Sequence, residues 1–332
     1  MIRRHIFMGA AAATVMLSGC SGNDASPSPT PTPTVTPTPT PTASPTYAAF
    51  PLAAAAEFTT INATTSFTGD AATTGVTLGA AATEQRTDRV RLATSNVPAT
   101  GTYVFREVNE ETRLCVPTGL ACTATLATPS AATNTEFVFR LDDAATAGKF
   151  SQVEFLNNVI PSTVTNEALL GTLTRVSYGN WYRGDSTAGQ KRLAYTVFGY
   201  PTVLTDMPTT GTVAYTSRVV GRVVVVTGAT TAINKIGGTA NVSVNFATGV
   251  VDVTLTLTQT TSGGVTTPYG TVTAQGAIPA SQTQFTGSIT GGPLTGTIAG
   301  GFFGSQGNEI GISFAGSSAN ARLVGQVVGK KP

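Results

Sequence analysis

Asp142 and Asp143 form the only adjacent aspartate pair in the chain. Paired carboxylates are what a hydrolase of envelope polymers needs, one acting as acid and the other as base or nucleophile. Neighbours on a strand point to opposite faces, however, and aspartate favours turns, so this pair reads as a turn. The stretch GFFGSQGNEIGISFAG, residues 301–316, carries glycine at 301, 304, 307, 311 and 316. A phosphate-cradling loop should open a helix, whose N-terminus supplies amides and dipole. Here Ile310, Ile312 and Phe314 alternate with Gly311, Ser313 and Ala315, a period of two that reads as strand, tight turn, strand. The segment YGNWYRG, residues 178–184, gathers the only tryptophan, Trp181, with Tyr178 and Tyr182. An exposed aromatic cluster serves as a binding anchor. Aromatics wedged between sheet and loop are commoner, so Trp181, Tyr182 and the downstream Tyr200 are ligand-binding candidates beside a packing role.

The N-terminus is an address. Arg3 and Arg4 precede an apolar run from Ile6 to Leu17, too short to span a bilayer as a stable helix. The run ends in Leu17-Ser18-Gly19-Cys20, which resembles a bacterial lipobox. That resemblance implies cleavage of residues 1–19 and lipidation of Cys20. Ser21 in place of an aspartate resembles an outer-membrane rather than an inner-membrane destination. Acyl chains on one cysteine hold a protein to a membrane far better than a single chain does. Residues 20–48 form a Pro/Thr-rich spacer. Proline at nearly every second position from 26 to 46 excludes helix and central strand. An extended spacer of about 65 Å would lift the folded part off the membrane.

Cleavage would also remove His5, the only histidine. Histidine-based acid–base or triad chemistry is then excluded, and so is a histidine ligand to zinc or haem. No metal site and no cofactor is implied, although a tyrosine such as Tyr182 or Tyr200 leaves haem ligation open. Cys115 and Cys122, in CVPTGLAC, are not spaced as Cys-x-x-Cys. In an oxidising compartment they read as one disulfide closing a small loop, with Pro117 and Gly119 favouring the turn. After residue 19 the chain holds 17 basic and 17 acidic residues. A net charge near zero excludes a nucleic-acid partner, whose binding needs a surplus of Lys and Arg.

The elements that must position these residues are strands. Threonine, valine, alanine and glycine dominate the roughly 285 residues after the spacer. Residues 49–206 are less regular, with strand-like runs at 103–108, 136–141, 152–155 and 173–178 and one short helical stretch at 164–170. From residue 207 the pattern is clean. Ala240, Val242, Val244 and Phe246 alternate with polar residues, Thr248-Gly249 turns, and Val251, Val253, Leu255 and Leu257 alternate again. Further strands read at 211–216, 220–227, 268–277, 282–289, 294–303, 308–315 and 321–328. Eight or nine antiparallel strands with no helix between them leave costly edges unless the sheet closes, so a barrel is expected. Residues 20–206 carry 11 basic and 15 acidic residues against six and two from 207 onward, charges of −4 and +4.

Gly301, Phe302, Phe303, Gly304, Glu309, Gly311 and Phe314 resemble the C-terminal barrel signature of the transferrin-binding-protein-B-like surface lipoproteins. Ser305 stands where that family often has proline, and Ile312 where it often has a second glycine. The closing LVGQVVGKK, the segment 206–221 and FGYPT at 198–202 are similar to the family's last strand, barrel opening and preceding connection. The resemblance covers about residues 195–332, and 49–195 only loosely. It implies an all-β protein, with a β-rich handle domain over 49–206 and an antiparallel barrel over 207–332. It also implies a surface-anchored, outer-membrane lipoprotein that is not an enzyme. Such a protein binds an extracellular protein or small molecule and is moved outward by a lipoprotein translocator. Contact residues lie in variable loops that cannot be matched, and Glu309 with the glycines is expected to serve the barrel. A structural or shielding envelope lipoprotein is the competing reading.

Overall fold

The computed structural model describes residues 44–332 apart from 71–74, 94–101, 108–109, 116–124, 129–134, 157, 159–166 and 186–188. The Val/Thr-rich composition is expressed as strands almost throughout. Nine lie between residues 56 and 199: β1 (Ala56–Asp70), β2 (Gly75–Ala93), β3 (Thr102–Glu107), β4 (Glu110–Cys115), β5 (Thr125–Thr128), β6 (Glu136–Asp142), β7 (Phe150–Leu156), β8 (Val176–Asp185) and β9 (Gln190–Gly199). A five-residue helix, α1 (Ala168–Thr172), precedes β8. The strands form one sheet in the order β4-β3-β2-β1-β9-β8-β7-β6-β5. This sheet is the handle.

The handle sheet curls until its two wings meet. Tyr103 of β3 lies 4.6 Å from Phe139 of β6, and Phe105 lies 5.0 Å from Phe155 of β7, centroid to centroid. A Cβ on Gly179 of β8 would fall 2.6 Å from the Phe105 ring, so the curl depends on a residue without one. The concave face therefore holds an aromatic core with Phe58, Phe137, Trp181 and Phe198. Aromatic pairs at these separations add to what their buried area contributes.

Eight further strands close into a barrel: β10 (Thr212–Thr227), β11 (Thr230–Asn245), β12 (Val250–Thr260), β13 (Thr266–Ala277), β14 (Gln284–Gly291), β15 (Thr295–Phe303), β16 (Glu309–Ser317) and β17 (Ala321–Lys330). Closure comes from β10 pairing with β17, from Thr216 opposite Lys330 to Val225 opposite Ala321. Residues 211–216 and 220–227, read as two strands from sequence, are one continuous β10. The hairpin around Thr248-Gly249 has the expected register, with Val242 opposite Val253 and Ala240 opposite Leu255.

The inward face of the barrel is apolar and filled. Val242, Val253, Leu255, Ile298, Phe302, Ile310, Ile312, Phe314, Leu323 and Val327 pack in one cluster. Gly300 lies under the Phe285 ring, which a Cβ there would approach to 2.2 Å. The glycine-rich stretch is thus strand, turn and strand. Gly304 supplies the turn at φ +71, where L side chains are strained.

The outer face differs around the circumference. On β11–β13 it is polar, with Asn241, Ser243, Thr254, Thr256, Thr271 and Thr273. On β15–β17 it is small or apolar, with Ala299, Phe303, Ala315, Val324 and Val328 buried against Ile61, Ala63, Val197 and Leu193 of the handle. Strand β16 is buried on both faces along nearly its whole length.

Candidate recognition surfaces on the handle and at the seam

Strand β8 sends alternate residues to opposite sides of the handle sheet. Tyr178 and Tyr182 pack with the clusters against the barrel, while Trp181 enters the aromatic core. Trp181 is 1% exposed, and its Nε1 donates to Ser151 Oγ at 2.7 Å. The Arg183 guanidinium lies 3.7 Å over the indole and pairs with Glu107 at 3.0 Å. Tyr182 is held edge-on to Phe150 at 4.8 Å, with Arg222 5.6 Å from its ring. Tyr200 packs on Phe50 and Phe58 at 5.3 and 5.4 Å. Trp181 and Tyr200 therefore share one aromatic cluster, Trp181 inside it and Tyr200 at its edge, while Tyr182 packs on the other side of the sheet. Burial raises the phenol pKa of both Tyr182 and Tyr200, which disfavours the phenolate that haem iron would take. Among the described residues no group of three or more His, Cys, Asp or Glu side chains could hold a metal.

The aspartate pair sits where β6 turns toward β7. Arg140 donates to both carboxylate oxygens of Asp142, at 3.0 Å from Nε. Asp143 accepts from the amides of Ala145 and Thr146 at 2.9 and 3.0 Å and pairs with Lys149 at 3.0 Å. Lys149 and those amides hold the Asp143 carboxyl below its ordinary range. Both carboxylates are taken up by neighbours and shape a turn. Cys115 ends β4, whereas Cys122, like the signal segment, Cys20 and most of the spacer, lies outside the described residues.

That turn forms one rim of a groove of about 720 Å³. The opposite rim is the β4 edge with Glu111 and Arg113, and Phe150 and Ser151 line it between them. Thr112 and Ser151 share a hydroxyl hydrogen bond of 2.8 Å that ties the edge strand to β7. Arg113, Lys149, Arg192, Asp142 and Asp185 give the groove charges of both signs. Sequence reasoning found only the aspartates here. Apart from Lys149 in the same turn, the other charges come from β4, β8 and β9 and lie far apart along the chain, with no local motif to join them.

The seam between handle and barrel is held by specific polar contacts. Glu309, 0% exposed, accepts at Oε1 from Thr174 N at 2.9 Å and at Oε2 from Arg175 N and Val176 N, both at 2.8 Å. Ser313 Oγ donates to the Ile61 carbonyl at 2.9 Å, and Arg322 Nε to the Gly79 carbonyl at 2.6 Å. Farther along, Arg222 of β10 pairs with Glu154 of β7 at 2.5 Å, and Arg218 pairs with Glu167. The Glu154 carboxyl is pulled low by Arg222 and Lys235 against the opposing effect of burial. Glu136 beside it is pushed up to about 7, first by burial and then by the Glu154 charge.

A closed eight-stranded barrel with one wall docked on a curled β-sheet defines a two-part, all-β class of protein. Residues 207–331 match the family described as C-lobe and N-lobe beta barrels of Tf-binding protein B. No curated protein matches the chain. Among solved structures, the chain is similar to transferrin-binding protein B of Haemophilus parasuis, at 11% identity over 85% of this chain and 77% of that one, with a TM-score of 0.37. It is similar to HpuA of Kingella denitrificans in complex with human haemoglobin, at 16% identity over 87% and 91%, with a TM-score of 0.39. It is also similar to transferrin-binding protein B of Neisseria meningitidis, at 12% identity over 83% and 77%, with a TM-score of 0.34.

Proposed function

We propose that the chain is a lipid-anchored surface protein of the outer membrane that binds an extracellular partner and does no chemistry on it. The observation that carries this reading is the match of residues 207–331 to the barrels of Tf-binding protein B, a family whose name states a binding role. The lipobox at Cys20 and the proline spacer supply the anchor and the reach. The filled barrel interior leaves recognition to outer surfaces, and the handle groove offers charges of both signs to a protein partner. In this reading a handle over 49–206 and a barrel over 207–332 act as one body, and a lipoprotein translocator delivers it to the outside.

Protease shaving of intact cells, with a periplasmic control, tests the placement. Loss of the chain with the control intact is the expected result, and Cys20→Ala should release the protein from the membrane. Full protection of the folded part would overturn the surface reading and leave an envelope role.

A further inference from the structure

Two walls of opposite charge face each other across one part of the seam. The handle wall presents Glu136 of β6, Glu154 of β7 and Asn180 of β8. The barrel wall presents Arg218 and Arg222 of β10 and Lys235 of β11. Between them lies an open cleft of about 230 Å³. That is roughly eight times the ~30 Å³ that a water occupies in the liquid. Arg222 and Glu154 close one side of it by direct pairing.

Arg218 pairs with Glu167, and among the described residues the other groups are not paired across the gap. Tyr178 donates to Glu136 Oε1 at 2.9 Å, but among the described residues Glu136 has no ion pair, and neither has Lys235 opposite it. Asn180 is 4% exposed, yet its Oδ1 has no hydrogen-bond partner among the described residues, and the buried Nε of Arg218 has none either. A buried acceptor or donor left unmade costs more than a made bond gains. The cleft thus holds an unpaired carboxylate and amide oxygen on one wall, and an unpaired ammonium and guanidinium N–H on the other.

We infer that this cleft binds a small zwitterion of the α-amino-acid class. Its ammonium group bridges Glu136 and Asn180 Oδ1, and its carboxylate bridges Lys235 and Arg218 Nε. The field between the walls orients such a dipole, and charge-assisted hydrogen bonds at both ends make it specific. A simple anion meets Glu136, and a simple cation meets Lys235, so neither gains both ends. The site is independent of the protein-partner reading and survives if that reading fails.

Isothermal titration of the full chain with glycine at pH 7.5 tests it, with acetate and methylammonium as single-charge controls. Saturable heat with glycine and none with either control is expected. Glu136→Gln and Lys235→Met should each weaken binding at least about tenfold, the scale on which one charged contact acts. Glu136 is half-buried and Lys235 exposed, and thermal unfolding of each variant reports that it is folded. No saturable heat with glycine would overturn the proposal and leave a cleft holding water only. Unchanged affinity in both folded variants would place any binding elsewhere and overturn it equally.

Discussion

The carboxylate of Glu309 on the barrel accepts the backbone amide of Val176 on the handle at 2.8 Å, in a site closed to solvent. Glu309 thereby joins the two parts, beyond the role inside the barrel that its place in the sequence suggested. Removing it would strand the amides of Thr174, Arg175 and Val176. Glu309→Ala should lower unfolding stability by about 3–5 kcal/mol, with Glu309→Gln intermediate because one amide oxygen still accepts. Urea denaturation followed by tryptophan fluorescence checks this, since Trp181 lies in the handle. A loss under about 1 kcal/mol would count against the clamp.

The Arg222–Glu154 pair is largely withdrawn from water, with side chains 11% and 7% exposed. Truncating either partner leaves an uncompensated charge. Arg222→Met and Glu154→Gln should each cost about 3–5 kcal/mol, and the double variant clearly less than their sum. A double-mutant cycle in urea measures that coupling, and strict additivity would show that the two do not interact.

Glu136 gives the seam a signature in pH. Its folded pKa, about 7, exceeds the ordinary value of 4.5, so the folded state holds a proton that the unfolded chain has lost. Its contribution to stability is therefore largest below 4.5 and is lost as pH rises through 7. Stability should climb by about 1–2 kcal/mol from pH 8 to pH 5, after allowance for partial exposure. Glu154, whose pKa is lowered, acts in the opposite sense only below the ordinary carboxylate range. In Glu136→Gln the climb should flatten, which urea midpoints at three pH values would reveal.

Gln326 on β17 is 0% exposed, and neither its Oε1 nor its Nε2 has a partner among the described residues. Its cross-strand neighbours are Val220 and Ser313. Gln326→Met keeps the length and removes the unmade hydrogen bonds. A gain of about 1–2 kcal/mol is expected in thermal or urea unfolding. A loss would mean that the amide is satisfied in solution by a bound water.

For Cys115 and Cys122 we propose the disulfide that their spacing suggests. Non-reducing alkylation and intact mass should find both thiols blocked. Reduction should cost about 2.5 kcal/mol for a loop this short.

The barrel was legible because its strands alternate cleanly. Val251, Val253, Leu255 and Leu257 face in and are buried, while Asp252, Thr254, Thr256 and Thr258 face out. The handle was less legible for a physical reason. Strands β1 and β2, in TTINATTSF and GAAAT, are small and threonine-rich on both faces, so no period of two stands out although they are interior strands of the sheet. Strand β8 begins at Val176 rather than at Leu173, because the amides of Thr174 and Arg175 are given to Glu309. The seam was invisible. Gly311, Ser313 and Ala315 have the small side chains of a solvent face, yet they are buried and let the handle backbone approach. Nothing local to Glu136, Arg222 and Lys235 signals that folding brings them to one cleft.

The docked wall of the barrel also sets where the chain can be cut. A fragment starting near Met207 would contain all eight barrel strands, yet it would present Ala299, Phe303, Ala315, Val324 and Val328 to water as one sticky stripe. The sheet that covers this stripe lies entirely upstream. Half-molecules should therefore self-associate, and the smallest well-behaved unit is the handle and barrel together.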